Sequence, residues 1–269
     1  MNDYNQRNVD FKTIHATSST HFDIFYEVLR SQALTSLLDI GGGYGSLLFE
    51  YLNRFPDLNF DYHILESSSF QIEKGKKMLS ELNQVQKIKH PVNFLHTEFL
   101  TSEIPQQSFS HIILKMVLHE FAKNRQSEVL GKAFKSLQDD GMVIVWMPLL
   151  QDHDFNFFNA VIKEKDLRAG YLNLSAQRYF CHQDEFIELA KSAGFSKIKM
   201  LFRFEYILDT RLRLSSEFNN NEDAYVNWLS AINNLYNNLS PLRKSKIHLL
   251  SLPNRIFVQF FRGLYLLKK

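Results

Sequence analysis

Residues 37–48 read LLDIGGGYGSLL. Leu37, Leu38 and Ile40 predict a short buried strand. After the glycines, apolar residues recur at the spacing of a helix, at Leu47, Leu48, Tyr51, Leu52 and Phe55. Four glycines in five residues join the two elements. Because glycine has no Cβ, backbone N–H groups can approach a ligand closely, and a helix N-terminus favours electron-rich groups. The stretch therefore predicts a turn that binds a nucleotide-like ligand, with an ordinary glycine-rich turn as the alternative.

The composition is typical of an intracellular protein. With 269 residues, the chain is long enough for one large domain or for a domain with additions. Cys181 is the single cysteine, which excludes an intrachain disulfide and a cysteine-based zinc site and fits a cytoplasmic location; we predict no metal site. The first residues lack the apolar core of a secretory signal, and no uncharged apolar run predicts a membrane span.

The charge is unevenly distributed. The whole chain carries +2, yet residues 241–269 contain seven Lys or Arg and no Asp or Glu. One interpretation is a basic surface on a terminal segment. The alternative is a docking face for an acidic partner, such as an acidic carrier protein, a membrane surface or nucleic acid.

Strands and helices alternate along most of the chain. Ser18, Ser19 and Thr20 precede a predicted helix whose apolar stripe is Phe22, Phe25, Tyr26 and Leu29. The other predicted helices include 125–138 and 183–193, and Pro148 is expected to end the fifth strand. This alternation predicts a doubly wound, mainly parallel α/β sheet. Its predicted strands after the first are 60–65, 91–96, 110–118, 142–147 and 196–204.

The sequence pattern changes after residue 204. Residues 219–239 carry a complete amphipathic stripe, and residues 256–266 are typical of a last antiparallel strand. Residues 152–182 form an excursion, a helix followed by an irregular stretch, which is expected to build a substrate pocket. The predicted organisation is an arm and cap helix (1–34), a core (35–204), a helical insertion acting as a lid or in dimerisation (205–255), and a last strand with a basic tail (256–269).

Acidic or titratable residues follow three of the predicted strands. Glu66 ends the second strand, where a carboxylate suits a bidentate grip on ribose hydroxyls; the alternative is an interaction with the dipole of the next helix. His119, Glu120 and Phe121 follow the near-continuous apolar run SHIILKMVL, at the end where ligands bind in open α/β sheets. Asp152, His153 and Asp154 follow the fifth strand and either face the pocket or form a solvated loop.

These motifs resemble a known family. Asp39, Gly41, Gly43 and Gly45 meet the pattern DxGxGxG, and Glu66 closes the second strand. This arrangement resembles class I S-adenosylmethionine-dependent methyltransferases. The stretch from Glu98-Phe99 to IILKMVLHEF (112–121) is similar to the small-molecule O-methyltransferases of the caffeate and polyketide type. The resemblance covers about residues 35–205 and implies a seven-stranded Rossmann-like methyltransferase sheet with the last strand antiparallel.

The resemblance also implies roles for individual residues, with S-adenosylmethionine as the cofactor. His119 matches the general base of the family, and Glu120 is a second candidate catalytic residue that replaces an aspartate. Three departures accompany the match: Phe121 replaces a tryptophan, the acid expected before Glu185-Phe186 is missing, and no N-terminal dimerisation domain is seen, so a homodimer is only one option. The implied cofactor-binding residues are Asp39, Gly41, Gly42, Gly43, Gly45, Glu66, Glu98, Phe99 and Lys115.

The chemistry of a histidine agrees with that role. A hydroxyl attacks a sulfonium methyl group poorly until its proton is removed, and an imidazole that titrates near neutral pH can remove it. The alternative is a histidine that ends the strand and hydrogen-bonds to backbone. We therefore predict methylation of a hydroxyl on a small aromatic or polyketide-like molecule of secondary metabolism, free or carrier-bound, with His119 as general base.

Other functions stay open at this point. The same cofactor would serve an N- or C-methyltransferase or a cyclase. The glycine turn alone would also suit a dinucleotide-dependent dehydrogenase, and a non-catalytic binding protein would keep the fold. Nucleic-acid methylation is not expected, because no NPPY-type motif follows the fourth strand.

Overall fold

The structure is a computed structural model that describes residues 19–30, 33–55, 57–85, 88, 90–219 and 221–269. The predicted N-terminal arm and its capping residue Ser18 lie outside these residues. Eight strands are named in the described part of the chain: β1 Ser36–Ile40, β2 Asp61–Glu66, β3 Val92–His96, β4 Phe109–Lys115, β5 Leu137–Leu149, β6 Lys197–Asp209, β7 Leu249–Leu252 and β8 Arg255–Lys268.

Helices flank these strands. Two short 3₁₀ turns, Leu118–Glu120 and Ser215–Phe218, interrupt the series. The α-helices are α1 Ser19–Arg30, α2 Ser46–Arg54, α3 Ser69–Val85, α4 Lys123–Ser136, α5 Phe155–Arg168, α6 Leu172–Gln177, α7 Gln183–Ser192, α8 Thr210–Leu214, α9 Glu222–Asn237 and α10 Pro241–Lys244.

The strands form one doubly wound sheet in the order β3-β2-β1-β4-β5-β8-β6, and β7 pairs with β8 as an additional short strand. The first five strands of that order are parallel, whereas β8 runs antiparallel to both of its neighbours. The predicted seven-stranded sheet with an antiparallel last strand is therefore confirmed. The hairpin strand β7 was not predicted.

Strand register brings the functional segments to one edge of the sheet. Asp39 of β1 lies between Ile64 of β2 and Ile113 of β4. The apolar run of β4 is buried along Phe109–Leu114, as expected for a central parallel strand covered on both faces. The glycine turn, Glu66 and Lys115 consequently leave adjacent strands at the same end of the sheet.

The structure differs from the sequence prediction at the ends of three strands and in one stretch that was expected to be irregular. β4 ends at Lys115, not at 118, because Met116 takes a positive φ of 56° and a 3₁₀ turn follows. β5 continues through Pro148, since proline lacks a donor but its φ fits an extended strand. β6 continues to Asp209 because β8 pairs with it over its full length. The stretch predicted to be irregular contains α6, Leu172–Gln177.

The two predicted amphipathic stripes are buried. Helix α1 packs its stripe against Trp146 of β5, with ring centroids 5.5 Å apart for Phe22 and Trp146. Helix α9 packs against α5, and its buried residues are Tyr225, Trp228, Leu229 and Ile232. Among the described residues, no helix has both the length and the apolar composition needed to cross a membrane.

Trp228 provides a test of the contact between α5 and α9. Its side chain is fully buried, and its indole N–H donates to the carbonyl of Val161 over 2.9 Å. We expect Trp228→Ala to lower the free energy of unfolding by roughly 3–5 kcal/mol, because it leaves a large cavity and removes the indole hydrogen bond. Urea denaturation measures the change. Val226→Ala on the exposed face of α9 is the control, and an equal loss in both variants would contradict the packing described here.

Candidate active site

A cavity of about 730 Å³ opens at the carboxyl ends of the parallel strands. It brings together every predicted site residue except Gly45, which lies at the start of α2. The predicted residues that line it are Asp39, Gly41, Gly42, Gly43, Glu66, Glu98, Phe99, Lys115, His119 and Glu120. The opposite wall comes from α5, α6, β6 and β8, elements that lie far away in sequence.

The glycine turn has a backbone that side chains would not tolerate. Gly41, Gly43 and Gly45 have positive φ values of 65°, 58° and 88°. A Cβ on Gly41 would collide with Val117, and one on Gly42 would come within 2.8 Å of a carboxylate oxygen of Asp39. The absence of side chains leaves backbone facing the cavity, which is the property needed to hold a ligand closely.

Glu66 fastens this turn to the second strand. One carboxylate oxygen accepts a hydrogen bond from the backbone N–H of Gly43 over 3.0 Å, and the other accepts from Ser68 over 2.8 Å. Burial raises the pKa of Glu66, and these backbone hydrogen bonds act against that rise. Glu66 therefore contacts both the glycine turn and the start of α3, while its side chain still lines the cavity.

Asp39 lies beneath the turn. It is fully buried, and the hydroxyl of Tyr62 donates to it over 3.0 Å. Burial raises the pKa of Asp39 to about 7, against the opposing effects of the Tyr62 hydrogen bond and the positive charge of Lys115. Asp39 therefore supports the turn through its packing under Gly42 and its hydrogen bond with Tyr62.

The turn after β3 carries Glu98 and Phe99. Phe99 is buried and Glu98 is exposed, and both line the cavity. Lys132 of α4 donates to the carbonyl oxygens of Phe99, Leu100 and Ser102, with distances of 2.5 Å and 3.2 Å to the first two. Sequence reasoning missed Lys132, because an isolated lysine on an amphipathic helix has no motif that marks it.

His119 lies on the 3₁₀ turn after β4 and lines the same cavity. Its ring stacks on Phe180, with centroids 4.2 Å apart and planes 14° from parallel. Its backbone carbonyl accepts a hydrogen bond from the N–H of Tyr179. Its Nε2 lies 3.6 Å from Oε1 of Glu120, and its side chain is 11% exposed. The ring is thus held from its face and from its edge.

Glu120 is oriented by Arg178, which sequence reasoning also missed. Nε and Nη2 of Arg178 both donate to Oε2 of Glu120, over 2.9 and 2.7 Å. A carboxylate beside the imidazole of His119 thus comes from its sequence neighbour, Glu120. Asp152, His153 and Asp154 do not line this cavity: the first two face a separate cleft beside His182, and Asp154 caps the turn at Gln151.

The half of the cavity beyond His119 is aromatic. Phe158, Phe180, Tyr206 and Phe260 line it, and the guanidinium of Arg262 lies 3.4 Å above the ring of Tyr206. The glycine turn, the carboxylate of Glu66 and the apolar Phe99 lie at the other end. The cavity therefore combines a backbone-lined end, which fits the amino-acid, ribose and adenine parts of S-adenosylmethionine, with an aromatic end.

Curated relatives of the chain are O-methyltransferases. The O-methyltransferase aoiF of Aspergillus oryzae is 24% identical over 56% of this chain and 34% of its own length. The (S)-scoulerine 9-O-methyltransferase of Coptis japonica is 26% identical over 68% of this chain and 44% of its own length. The chain thus spans less than half the length of these relatives.

Solved structures share the fold. YcgJ from Bacillus subtilis superposes with a TM-score of 0.71 at 14% identity, over 92% of this chain and 97% of that protein. The [4+2]-cyclase SpnF superposes with a TM-score of 0.57 at 13% identity, over 93% and 80% of the two chains. At these identities the likeness shows a Rossmann-like methyltransferase fold and says nothing about the reaction.

The family follows from a separate match. A family model described as an O-methyltransferase domain matches residues 3–196, well over half of the chain. The match includes the glycine turn, Glu66 and the stretch from Glu98 to Phe121. S-adenosylmethionine is accordingly the cofactor. The chain belongs to the O-methyltransferase domain family.

Proposed function

We propose that this chain transfers a methyl group from S-adenosylmethionine to a hydroxyl group of a small molecule, with His119 as general base. The observation that carries the proposal is that His119 lines the same cavity as the glycine turn and stacks on Phe180, one of the aromatic residues of that cavity. A base in this position reaches an acceptor that lies in the aromatic half. Family membership supports the same reaction.

In this proposal the glycine turn and its neighbours hold the cofactor. The backbone around Gly41 and Gly43 would face the methionine part, and Glu66 would hold the ribose hydroxyls. Glu98 and Phe99 would lie beside the adenine ring, and Lys115 contributes a positive charge near the buried Asp39. Gly42 and Gly45 shape the turn. The bound cofactor supplies an electrophilic methyl group on a sulfonium.

In this proposal, His119 and Glu120 act on the proton of the acceptor hydroxyl. The imidazole takes the hydroxyl proton of the acceptor as the oxygen attacks the methyl carbon, and Glu120 orients the imidazole and stabilises its charged form. The stack on Phe180 keeps the ring from turning away. The remaining contribution is positioning, since the acceptor oxygen must lie in line with the methyl carbon and its leaving sulfur.

The aromatic end of the cavity supports a flat acceptor. Phe158, Phe180, Tyr206 and Phe260 would stack on or surround an aromatic or polyketide-like ring system. The naming of one relative as a scoulerine O-methyltransferase agrees with an acceptor of this kind. Carrier-bound delivery through the basic segment 241–269, and homodimer formation, stay predictions.

His119 provides the main test. We expect His119→Gln to lower turnover by about a hundredfold or more, because the acceptor keeps its proton without a base. Binding of S-adenosylhomocysteine, measured by calorimetry, should stay unchanged. His182→Gln, at a histidine outside the cavity, is the control. Full turnover in His119→Gln would contradict the general-base role and would favour an N-methyltransferase, since an amine with a lone pair needs no base.

Gly41 tests the cofactor end. Gly41→Ala places a Cβ against Val117 at a residue with positive φ, so the turn must shift. We expect the dissociation constant of S-adenosylhomocysteine to rise by about tenfold or more. Gly131→Ala on α4 is the matched control, because nothing lies within 4 Å of its added Cβ. Equal binding by both variants would remove the turn from the cofactor site.

Lys132 tests the turn beside the proposed adenine position. Lys132→Met removes the donor shared by three carbonyl oxygens, so the turn loses its anchor while the apolar part of the side chain is kept. We expect weaker binding of S-adenosylhomocysteine, by about tenfold. Lys135→Met, on the exposed face of the same helix, should bind like the parent protein. Unchanged affinity in Lys132→Met would show that the turn holds its shape without the lysine.

A further inference from the structure

A series of buried charges begins next to His119 and continues away from the cofactor end. Arg178 donates to Glu120, and its Nη1 also donates to both carboxylate oxygens of Asp166, over 3.1 and 2.9 Å. The ammonium of Lys165 lies 2.8 Å from Asp166 and also pairs with Glu217. These five side chains are referred to below as the charge chain.

The charge chain joins four separate segments around the aromatic half of the cavity. Glu120 belongs to the 3₁₀ turn of His119, and Asp166 and Lys165 belong to α5. Arg178 follows α6, and Glu217 lies in the 3₁₀ turn after α8. Every member except Asp166 lines the cavity. Side chains of the charge chain are at most 13% exposed.

Such a series is a poor way to stabilise a fold. Burying an ion pair costs desolvation energy that its attraction repays only in part, and apolar residues of similar volume often stabilise as well or better. The same burial makes each charge act strongly on its neighbours, because little water screens it. The charge chain therefore has a stronger electrostatic effect on nearby groups than exposed pairs would have.

The charge chain carries one net negative charge beside His119. Three carboxylates and two cations sum to one negative charge, and the nearest member, Glu120, lies 3.6 Å from Nε2 of His119. With a protonated imidazole, the net charge of His119 and the charge chain together would be zero. Arg178 occupies Oε2 of Glu120 twice, which leaves Oε1 directed at the imidazole.

We propose that Arg178 and Asp166 are positioning residues that fix the carboxylate of Glu120 beside His119 and set the proton affinity of its imidazole. This inference rests on the proposed general-base role. Asp166 adds negative charge and orients Arg178, whereas Arg178 adds positive charge and orients Glu120. Neither residue needs to touch the acceptor for this role.

Other charged groups also face the cavity around His119. They come from the ends of β1, β2 and β4, from the turn after β3, from α4 and from β8. They are Asp39, Glu66, Lys115, Glu98, Arg125 and Arg262. None of these is altered by the substitutions below, so their effect on His119 stays constant through the comparison.

The test measures the pH titration of His119 by nitrogen-15 NMR. The sample is the whole 269-residue chain with nitrogen-15-labelled histidines, saturated with S-adenosylhomocysteine. His119→Gln assigns the resonance by removing it. We expect Asp166→Asn to lower the midpoint pH of His119, because a negative charge is lost, and Arg178→Gln to raise it, because a positive charge is lost. Each shift should be about one pH unit. Arg178→Lys keeps the charge and should stay near the parent midpoint.

Matched controls come from the exposed pair Glu164 and Arg168 of α5. Glu164→Gln and Arg168→Gln make the same chemical changes on the solvent side of that helix, and water should screen their effect on His119. Circular dichroism confirms that each variant is folded. If Arg178→Gln does not fold, the other two variants still test the inference. Asp166→Asn should then lower the midpoint pH of His119, and Arg178→Lys should leave it unchanged.

Opposite shifts in the two charge-removing variants would support the inference, since general loosening of the site would move both midpoints in the same direction. Shifts in one direction, shifts no larger than those of the controls, or a His119 that does not titrate would overturn it. The measurement needs no acceptor. Opposite shifts together with full turnover in His119→Gln would therefore overturn the general-base role alone.

Discussion

The parallel pairing of β1 with β2 and β4 is the constraint on which the site depends. Hydrogen-bonded register aligns the ends of these strands, so the glycine turn, Glu66 and Lys115 emerge at one edge of the sheet. Glu66 can then accept a hydrogen bond from Gly43, across 23 positions of sequence. This contact fixes the shape of the turn, and a ligand at this edge meets backbone rather than side chains.

The aromatic half of the cavity depends on a different part of the fold. Strand β8 runs antiparallel between β5 and β6 and carries Phe260 and Arg262 to the same edge. Helices α5 and α9 pack on each other outside this edge and close the wall. The core sheet thus positions the cofactor end, whereas the segments after β5 build the proposed acceptor end.

The two halves of the cavity also differ in which groups compensate their buried carboxylates. At the cofactor end, buried carboxylates lie against backbone N–H groups or a tyrosine hydroxyl, and burial raises the pKa of Asp39 and of Glu66. At the proposed acceptor end, carboxylates are paired with Arg178 and Lys165. Buried charge without a partner is costly, so each half retains its carboxylates only through these specific contacts. His119 lines the same cavity as both sets of charges.

The sequence by itself predicted a doubly wound, mainly parallel sheet, the glycine turn, and the places of Glu66 and His119 after their strands, because each depends on local spacing. It did not predict that β4 ends at Lys115, before Met116, or that β5 continues through Pro148, since these boundaries depend on the folded backbone and on neighbouring strands. Nor did it predict Lys132, Arg178 or Asp166. Arg178 lies 58 positions from Glu120 and 12 from Asp166. Only the folded chain brings these groups within hydrogen-bonding distance, because no local pattern specifies contacts between distant segments.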